Sequence, residues 1–397
     1  MNKNGLLIYT SIAHFINDGL FLIFPILIVY YNADKLVSLV ILSSMAIVYQ
    51  IVSGIASPII LKRLMRFSLG KLLSLGIMLQ GLSLFLFAYA FILSQSYIVY
   101  VILAAIIILG IGQAFYHPIS ATLLSRDRNS STELGINGSI GSIGRAIMPS
   151  IITYALIVAG SFNGLTYIGI AVILASIILY YKIKPYSSES ISKQKRSKYK
   201  ISSRLYRRYK IFILILGIIV FLRSAIVYGV TTFTGEIIYK IYESKSFAGI
   251  FLSIGFIGAI FGQQVLGKLT DKKGGRFTFI MTTVLTFALI LLFMLLVNML
   301  YLSMLIYLLF TFFAFSGFPV FLGYINRELP YKLRLIANSY IWGLGVSLGN
   351  AAGDSIMTLL LYYGFNIFSS IYILLAVASS SLILLPYLSR FNDSKHV

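Results

Sequence analysis

An acid and two histidines lie within long apolar stretches of the chain, where they could exchange a proton. His14 precedes Asp18 by four residues, so the two side chains share one face of a helix, and His117 lies at a similar depth in another stretch. A histidine beside a carboxylate can pass a proton near neutral pH. The residues predict a proton-coupling site at Asp18 with His14 or His117. A structural role, with an arginine neutralising Asp18 and the histidines bound to backbone carbonyls, stays open.

Two arginines, Arg145 and Arg223, also lie at this depth. A guanidinium matches phosphate, phosphonate or carboxylate with two parallel hydrogen bonds, so both arginines are candidates to bind an anionic substrate. The alternative is that they neutralise Asp18 and Asp354 inside the apolar layer.

The composition places these residues in a membrane. The chain has 397 residues, of which 59% are hydrophobic and 11% charged, whereas soluble proteins carry about 25% charged residues. With no cysteine and three histidines, it lacks disulfides, thiolate chemistry and the residues for a His-rich metal site. No phosphate-binding G-x-x-x-x-G-K-[ST] loop occurs, so we predict no use of ATP. We also predict no metal and no cofactor.

The apolar stretches predict an all-α protein with twelve membrane spans, since about 20 apolar residues cross a bilayer. The predicted spans cover 6–31, 37–61, 69–93, 97–124, 134–159, 163–183, 211–235, 246–267, 277–297, 300–325, 335–361 and 366–388.

The net charge of +21 lies on one face of the predicted topology. The segments on the side of both termini hold 27 Lys and Arg against 6 Asp and Glu, while the loops on the other side hold Lys35, Lys240 and Lys245 against Asp34, Glu236 and Glu243. By the positive-inside rule both termini are cytoplasmic in the cell membrane. The charge therefore indicates topology and attraction to lipid headgroups, and no nucleic-acid partner.

The chain divides into two halves. Residues 185–210 form a basic, Ser-rich linker between an N-terminal bundle (1–184) and a C-terminal bundle (211–397), each with six spans. A shift of 205 residues aligns Gly112 with Gly317 and Ser142 with Ser347, and it also sets Asp18 equivalent to Arg223. Two repeated six-helix bundles are typical of transporters that alternate access to a central site.

Several motifs resemble the major facilitator superfamily over nearly the whole chain. The turn from Gly267 to Arg276 (GKLTDKKGGR) is similar to its G-x-L-x-D-[RK]-x-G-R-[RK] loop signature. The segments HFINDG from His14, GQAFYHP from Gly112 and NRELP from Asn326 resemble its fosmidomycin-resistance branch.

The resemblance implies roles for further residues. In the loop of Gly267, Asp271, Lys272 and Arg276, the acid would stabilise one conformation at a helix N-terminus across the bundle interface, although a solvated turn stays open. Tyr116 and Tyr228 lie on spans that line the cavity in this superfamily and are candidates to contact substrate.

Small residues predict close helix contacts in lipid. Glycines step along spans 5 and 11 at helical spacing, and we assign a packing role to Gly141, Gly144, Gly345 and Gly349. The sequence Gly144-Arg-Ala-Ile-Met-Pro149 resembles the superfamily's antiporter motif, with Met148 in place of the second glycine.

These features predict a monomeric secondary transporter that exports a small organic solute in exchange for protons and is not an enzyme. Proton-coupled uptake of a small organic anion is the alternative within the class. A polytopic membrane enzyme would show clustered acids or histidines in an interfacial loop. The acids in the loops are sparse here, which argues against that class.

Overall fold

The computed structural model describes residues 3–64, 68–124, 130–183 and 203–395. Every element within these ranges is helical, which confirms the all-α prediction. Most of the predicted linker lies outside the described residues; its last eight residues, 203–210, form the start of span 7.

The helices follow the predicted order of twelve spans. Span 1 is Lys3–Gly19, Leu20–Leu22 and Ile23–Ala33; span 2, Leu39–Leu64; span 3, Leu69–Ala90; span 4, Gln95–Leu124; span 5, Ser130–Val158; span 6, Ser161–Ile183; span 7, Ser203–Tyr242; span 8, Lys245–Lys273; span 9, Gly275–Leu296; span 10, Leu300–Ala314 and Gly317–Glu328; span 11, Tyr331–Tyr340, Ile341–Ser347 and Leu348–Tyr362; span 12, Ile367–Ser379 and Ser380–Lys395. In the described ranges, eleven helical segments are long and apolar enough to cross a membrane. Span 11 is the twelfth, and a π-helical segment interrupts it.

Local sequence explains the interrupted spans. Pro25 has no backbone N–H and its ring crowds the carbonyl four residues earlier, which accounts for the 3-10 turn Leu20–Leu22 in span 1. Span 11 changes to π geometry at Ile341–Ser347, where two glycines lower the helix propensity.

Because the spans alternate in direction, the bundles have two ends. The basic end carries the turn at Gly274 between spans 8 and 9, and the opposite end carries Asp34 between spans 1 and 2. The prediction of a loop from Gly267 to Arg276 is wrong, because span 8 stays helical to Lys273 and span 9 begins at Gly275. The surface toward lipid is covered with exposed Ile, Leu, Phe and Tyr side chains.

The two bundles meet along spans 5 and 8 and along spans 2 and 11. Both seams depend on small residues. A Cβ atom on Gly249 would lie 2.0 Å from Thr153 Oγ1, and one on Gly54 would lie 2.8 Å from the Cβ of Ser347. Such contacts let the backbones approach closely where the hydrophobic effect gives no help.

Inside the N-terminal bundle, span 5 packs against span 1 by the same means. A Cβ atom on Gly144 would lie 2.2 Å from the backbone oxygen of Phe15. We therefore expect Gly144→Ala to force spans 1 and 5 apart and to lower the free energy of unfolding by about 1–3 kcal/mol.

Gly135→Ala in the same helix is the matched control, because its Cβ would meet no atom within 4 Å. It should leave stability unchanged or raise it by about 0.5–1 kcal/mol. Thermal unfolding of both variants in detergent measures the difference, and equal midpoints would show that the contact between spans 1 and 5 is not tight.

Candidate functional site

Asp18 is the centre of a charged cluster halfway along span 1. Its Oδ2 lies 3.1 Å from His14 Nε2 and 3.2 Å from Arg145 Nη2, and its Oδ1 lies 3.6 Å from His117 Nε2. The acid is only 4% exposed. The structure thus brings together Asp18, both histidines and one of the two candidate arginines, from spans 1, 4 and 5.

The orientation of His14 is fixed by Asn137 on span 5. His14 Nδ1 lies 2.8 Å from Asn137 Oδ1. The Tyr116 hydroxyl lies 2.8 Å from the same oxygen and 3.1 Å from the Thr10 carbonyl, and Asn137 Nδ2 lies 3.3 Å from Ser11 Oγ. On its other side, His14 Nε2 lies 3.1 Å from the Asp18 carboxylate. A ring nitrogen and a carboxylate oxygen at this distance have a proton between them, so the pair of His14 and Asp18 shares a proton.

A glycine makes room for this histidine. A Cβ atom on Gly141 would lie 2.5 Å from the His14 ring, so the imidazole lies directly against the span 5 backbone. Tyr116 closes the other side, with its ring centre 4.5 Å from that of His14. Tyr116 is fully buried, and its ring packs against the imidazole of His14.

His117 is the exposed member of the cluster. Its side chain is 64% exposed although its Nε2 faces Asp18 and its ring lies 5.4 Å from that of His14. His117 therefore lies between the surface of the protein and the buried pair, where it could exchange a proton with either.

Uncharged amides complete the cluster, and the sequence analysis did not identify them. Asn17 Nδ2 donates to Asp18 Oδ1 at 3.1 Å, and Gln80 Nε2 donates to Asn17 Oδ1 at 2.9 Å. Gln113 donates to the Asn17 carbonyl at 3.2 Å and accepts from the Tyr49 hydroxyl. Amides inside long apolar spans are the signal that would have pointed to this network.

Arg145 joins the cluster to the other bundle. Its Nη2 lies 3.2 Å from Ser142 Oγ, and the same oxygen accepts from Gln263 Nε2 of span 8 at 2.9 Å. The guanidinium also lies 5.6 Å from the ring centre of Phe315 in span 10. A change in the charge of Asp18 therefore acts directly on a residue at the bundle interface.

Arg223 points away from Asp18, although the repeat makes them equivalent. Its Nη2 donates to the carbonyls of Phe313 and Ala314 at 3.1 Å, and the guanidinium lies 5.2 Å from the Phe321 ring centre. Arg223 is buried inside the C-terminal bundle, and these contacts hold its guanidinium there. A substrate-binding role for Arg223 stays a prediction.

Asp354 stands apart from the cluster. It is fully buried in span 11 with Thr232 of span 7 as a polar neighbour, and within the described residues neither of its carboxyl oxygens has a partner at full hydrogen-bond geometry. The expected neutralisation by an arginine is thus seen for Asp18 and Arg145, and not for Asp354. A carboxylate without a cation is costly at this depth, so Asp354 fits this environment as a neutral, protonated acid.

A small pocket separates the bundles beside the cluster. Tyr228 of span 7 lines it with Tyr49 and Gln50 of span 2, and its ring packs edge-on against Phe21 at 5.2 Å between ring centres. The pocket has a volume of about 10 Å³, which is the size of one water molecule.

The ligand atoms of His14, Asp18 and His117 all lie within 4.8 Å of one another. A transition-metal ion takes this combination of ligands. Arg145 opposes such an ion, because its positive charge lies 3.2 Å from the same carboxylate. The cluster therefore suits proton exchange better than metal binding.

The charged residues beside the turn at Gly274 pair within their own bundle. Asp271 Oδ1 accepts from Arg327 Nη2 at 2.9 Å, and Arg327 also donates to the Thr270 carbonyl. Lys272 is exposed, and a Cβ atom on Gly267 would lie 3.4 Å from the Cβ of Pro319. A gating role for this turn stays a prediction.

The predicted packing glycines of span 11 lie against span 7. A Cβ atom on Gly349 would lie 2.5 Å from the Phe221 carbonyl oxygen, and one on Gly345 would lie 3.1 Å from Val220 Cγ1. Both glycines therefore let span 11 approach the span 7 backbone within the C-terminal bundle.

At the opposite end, polar side chains hold the bundles together. Asp34 forms an ion pair with Lys245, and Asn32 Nδ2 donates to Glu236 Oε1 at 2.7 Å. The sequence analysis placed Glu236 in a loop, which is wrong: the span 7 helix continues to Tyr242 and Glu236 is buried. The helix is longer because the apolar pattern resumes after Glu236.

Two six-helix bundles around a buried charged cluster have the architecture of a membrane transporter. Residues 6–341 match the family model of the Major Facilitator Superfamily, and the chain belongs to this family. It is a multi-pass integral membrane protein of a family of transporters, which are not enzymes.

Solved structures with the same fold include three transporters. A point mutant of the nucleoside transporter NupG aligns with a TM-score of 0.70 at 15% identity, covering 98% of this chain and 100% of its own. A peptide transporter POT in complex with sulfate has a TM-score of 0.68 at 13% identity over 97% and 94% of the two chains. A bacterial homolog of the human lysosomal transporter Spinster, inward-facing and unoccupied, has a TM-score of 0.64 at 13% identity over 98% and 96%. None of the curated protein sequences matches this chain.

The two buried acids should respond differently to neutralisation. Asp18→Asn leaves Arg145 without its carboxylate and should lower the free energy of unfolding by about 3 kcal/mol, at the low end for a broken buried ion pair because Ser142 remains as a partner. Asp354→Asn replaces an acid that has no cation beside it with a neutral side chain of the same shape and should destabilise the protein less than Asp18→Asn does. Thermal unfolding compares the two, and a larger loss for Asp354→Asn would mean that Asp354 has a charged partner.

Proposed function

We propose that the protein is a secondary active transporter that exports a small organic solute in exchange for protons. The observation that carries this proposal is the close contact of His14 with Asp18, which share a proton beside an exposed histidine, His117. A buried carboxylate that is costly to keep charged in a membrane can store a proton and release it when its surroundings change.

The link to transport runs through Arg145. A proton on Asp18 removes the negative charge that holds this guanidinium, and Arg145 is then free to turn away from span 1. Its contacts with Ser142 and Phe315 lie at the interface with spans 8 and 10. A movement of Arg145 therefore changes the contacts that hold the two bundles together. Protonation is thereby coupled to the rocking of one bundle against the other.

The proton path has a direction in this conformation. Asp34, Lys245, Asn32 and Glu236 join the bundles at the opposite end, while His117 is exposed. The excess of basic residues favours the cytoplasm for the basic end. We infer an inward-facing state in the cell membrane with both termini cytoplasmic.

The pocket between the bundles supports an amphipathic substrate. Tyr49, Tyr228 and Phe21 offer aromatic faces, and Gln50 and Thr232 offer polar atoms. The pocket must widen before it admits more than a water molecule. One chain supplies all of these groups, so we infer that a monomer suffices. The resemblance of the motifs to the fosmidomycin-resistance branch favours drug-like solutes and export.

Transport by the purified protein in liposomes tests the proposal. A panel of amphipathic drugs, small organic anions, nucleosides and peptides is screened with an imposed pH gradient of either sign. We expect at least one compound to move against its own gradient at the expense of the proton gradient. Asp18→Asn should lower the rate of this proton-driven transport at least about tenfold. Solute counterflow, which needs no net proton transfer, should continue.

Glu243→Gln is the matched control, because it removes an exposed carboxylate from the opposite end. It should transport like the unmodified protein. If Asp18→Asn retains both proton-driven transport and counterflow, Asp18 does not couple transport to protons. If the solute moves only in the same direction as the protons, the protein is an uptake symporter and the export proposal is wrong.

A further inference from the structure

A cavity of about 700 Å³ lies at the basic end of the C-terminal bundle, apart from the Asp18 cluster. Four spans meet around it, and each contributes one cation. Lys273 comes from span 8, Arg276 from span 9, Arg327 from span 10 and Arg334 from span 11. Glu328 is the acid in the lining. The lining residues carry a net charge of +3, and Asp271, which forms an ion pair with Arg327 beside them, lowers this to +2. The remaining positive charge favours an anion.

Hydrogen bonds hold two of these arginines in position. Arg334 Nε donates to the Leu329 carbonyl at 2.8 Å, and Arg327 Nη1 donates to the Thr270 carbonyl at 2.7 Å. Each guanidinium has five N–H groups, and these bonds use only part of that capacity. Within the described residues, the Nε of Arg276 is buried without a hydrogen-bond partner. A buried guanidinium N–H normally has an acceptor, so this N–H is available to an anion in the cavity.

The start of span 9 points to the same ligand. The helix begins at Gly275 beside the cavity, and its N-cap residue, Gly274, has no side chain to accept from the first N–H groups. Free N–H groups at a helix N-terminus bind phosphate and favour negative charge. Gly274 has φ of 93°, a left-handed conformation that suits glycine.

One side of the cavity is apolar. It is formed by Phe277, which is 52% exposed, and by Ile280, one turn further along span 9. A free phosphate ion would leave these side chains uncovered. A phospholipid would place its phosphate among the cations and its glycerol and first methylene groups against Phe277 and Ile280.

We propose that this cavity is a binding site for the phosphate of an anionic phospholipid. The bound headgroup joins the ends of spans 8, 9, 10 and 11 and so stabilises the C-terminal bundle in this arrangement. The site depends on the membrane location of the chain and does not depend on the transported solute or on proton coupling.

Thermal unfolding of the purified full-length protein in detergent tests this site, with Trp342 and the tyrosines as the fluorescent reporters. The probes are short-chain phosphatidylglycerol, short-chain phosphatidylcholine and inorganic phosphate. We expect phosphatidylglycerol to raise the melting temperature in a saturable manner, while the other two probes have little effect. Arg276→Gln with Arg334→Gln should raise the half-saturating concentration at least about tenfold, because two charged contacts are lost.

Two further variants keep the test decisive. Lys273→Gln removes an exposed cation from the lining without affecting packing, and it should also weaken the effect if the double variant does not fold. Arg207→Gln removes an exposed cation of the same end outside the cavity and should respond like the unmodified protein. An equal response to inorganic phosphate would identify a site for soluble phosphate instead of lipid. An equal response to phosphatidylcholine, or one that Lys273→Gln and the double variant both retain, would overturn the proposal.

Discussion

The structure depends on the need to compensate a carboxylate at the centre of an apolar layer. Asp18 meets this need with a histidine and an arginine at 3.1 and 3.2 Å and with the Asn17 amide. Removing charge from water costs several kcal/mol per ion unless partners replace the solvent. Each partner must in turn be held, which explains why Asn137 orients His14 and why a second layer of amides surrounds Asn17.

This requirement also shapes the helices. Span 5 can bring Arg145 and Asn137 to span 1 only because Gly141 and Gly144 leave no side chains between the two backbones. The same span forms the seam with span 8, where Ser142 accepts from Gln263. One helix therefore carries both the partner of the buried acid and the contact between bundles. Proton binding and bundle movement are linked in our proposal because they share this helix.

Much of the fold could be predicted from the sequence, since the length and polarity of apolar stretches are local properties. The number and order of spans and the all-α class follow from the lengths of the apolar stretches. The grouping of His14 with Asp18 follows from their spacing along one helix. The partner of Asp18 did not follow from the repeat, because the 205-residue shift relates positions in two bundles and says nothing about the rotation of a side chain. Arg223 turned to span 10 carbonyls, and Asp354 remained without a cation. The amides Gln80, Gln113 and Asn137 were overlooked because they carry no charge. Their partners also lie 63 to 123 residues away in the chain, which no local pattern reveals.

The central claim is that the protonation of Asp18 controls the arrangement of the bundles. Because the chain has no cysteine, spin labels on Gly135→Cys and Asn326→Cys report the distance between the bundles at the basic end without further changes. The distance distribution, measured by electron paramagnetic resonance in lipid discs at acidic and alkaline pH, should shift with pH in the labelled protein and become independent of pH when Asp18→Asn is added. An unchanged pH response in the Asp18→Asn protein would contradict the account.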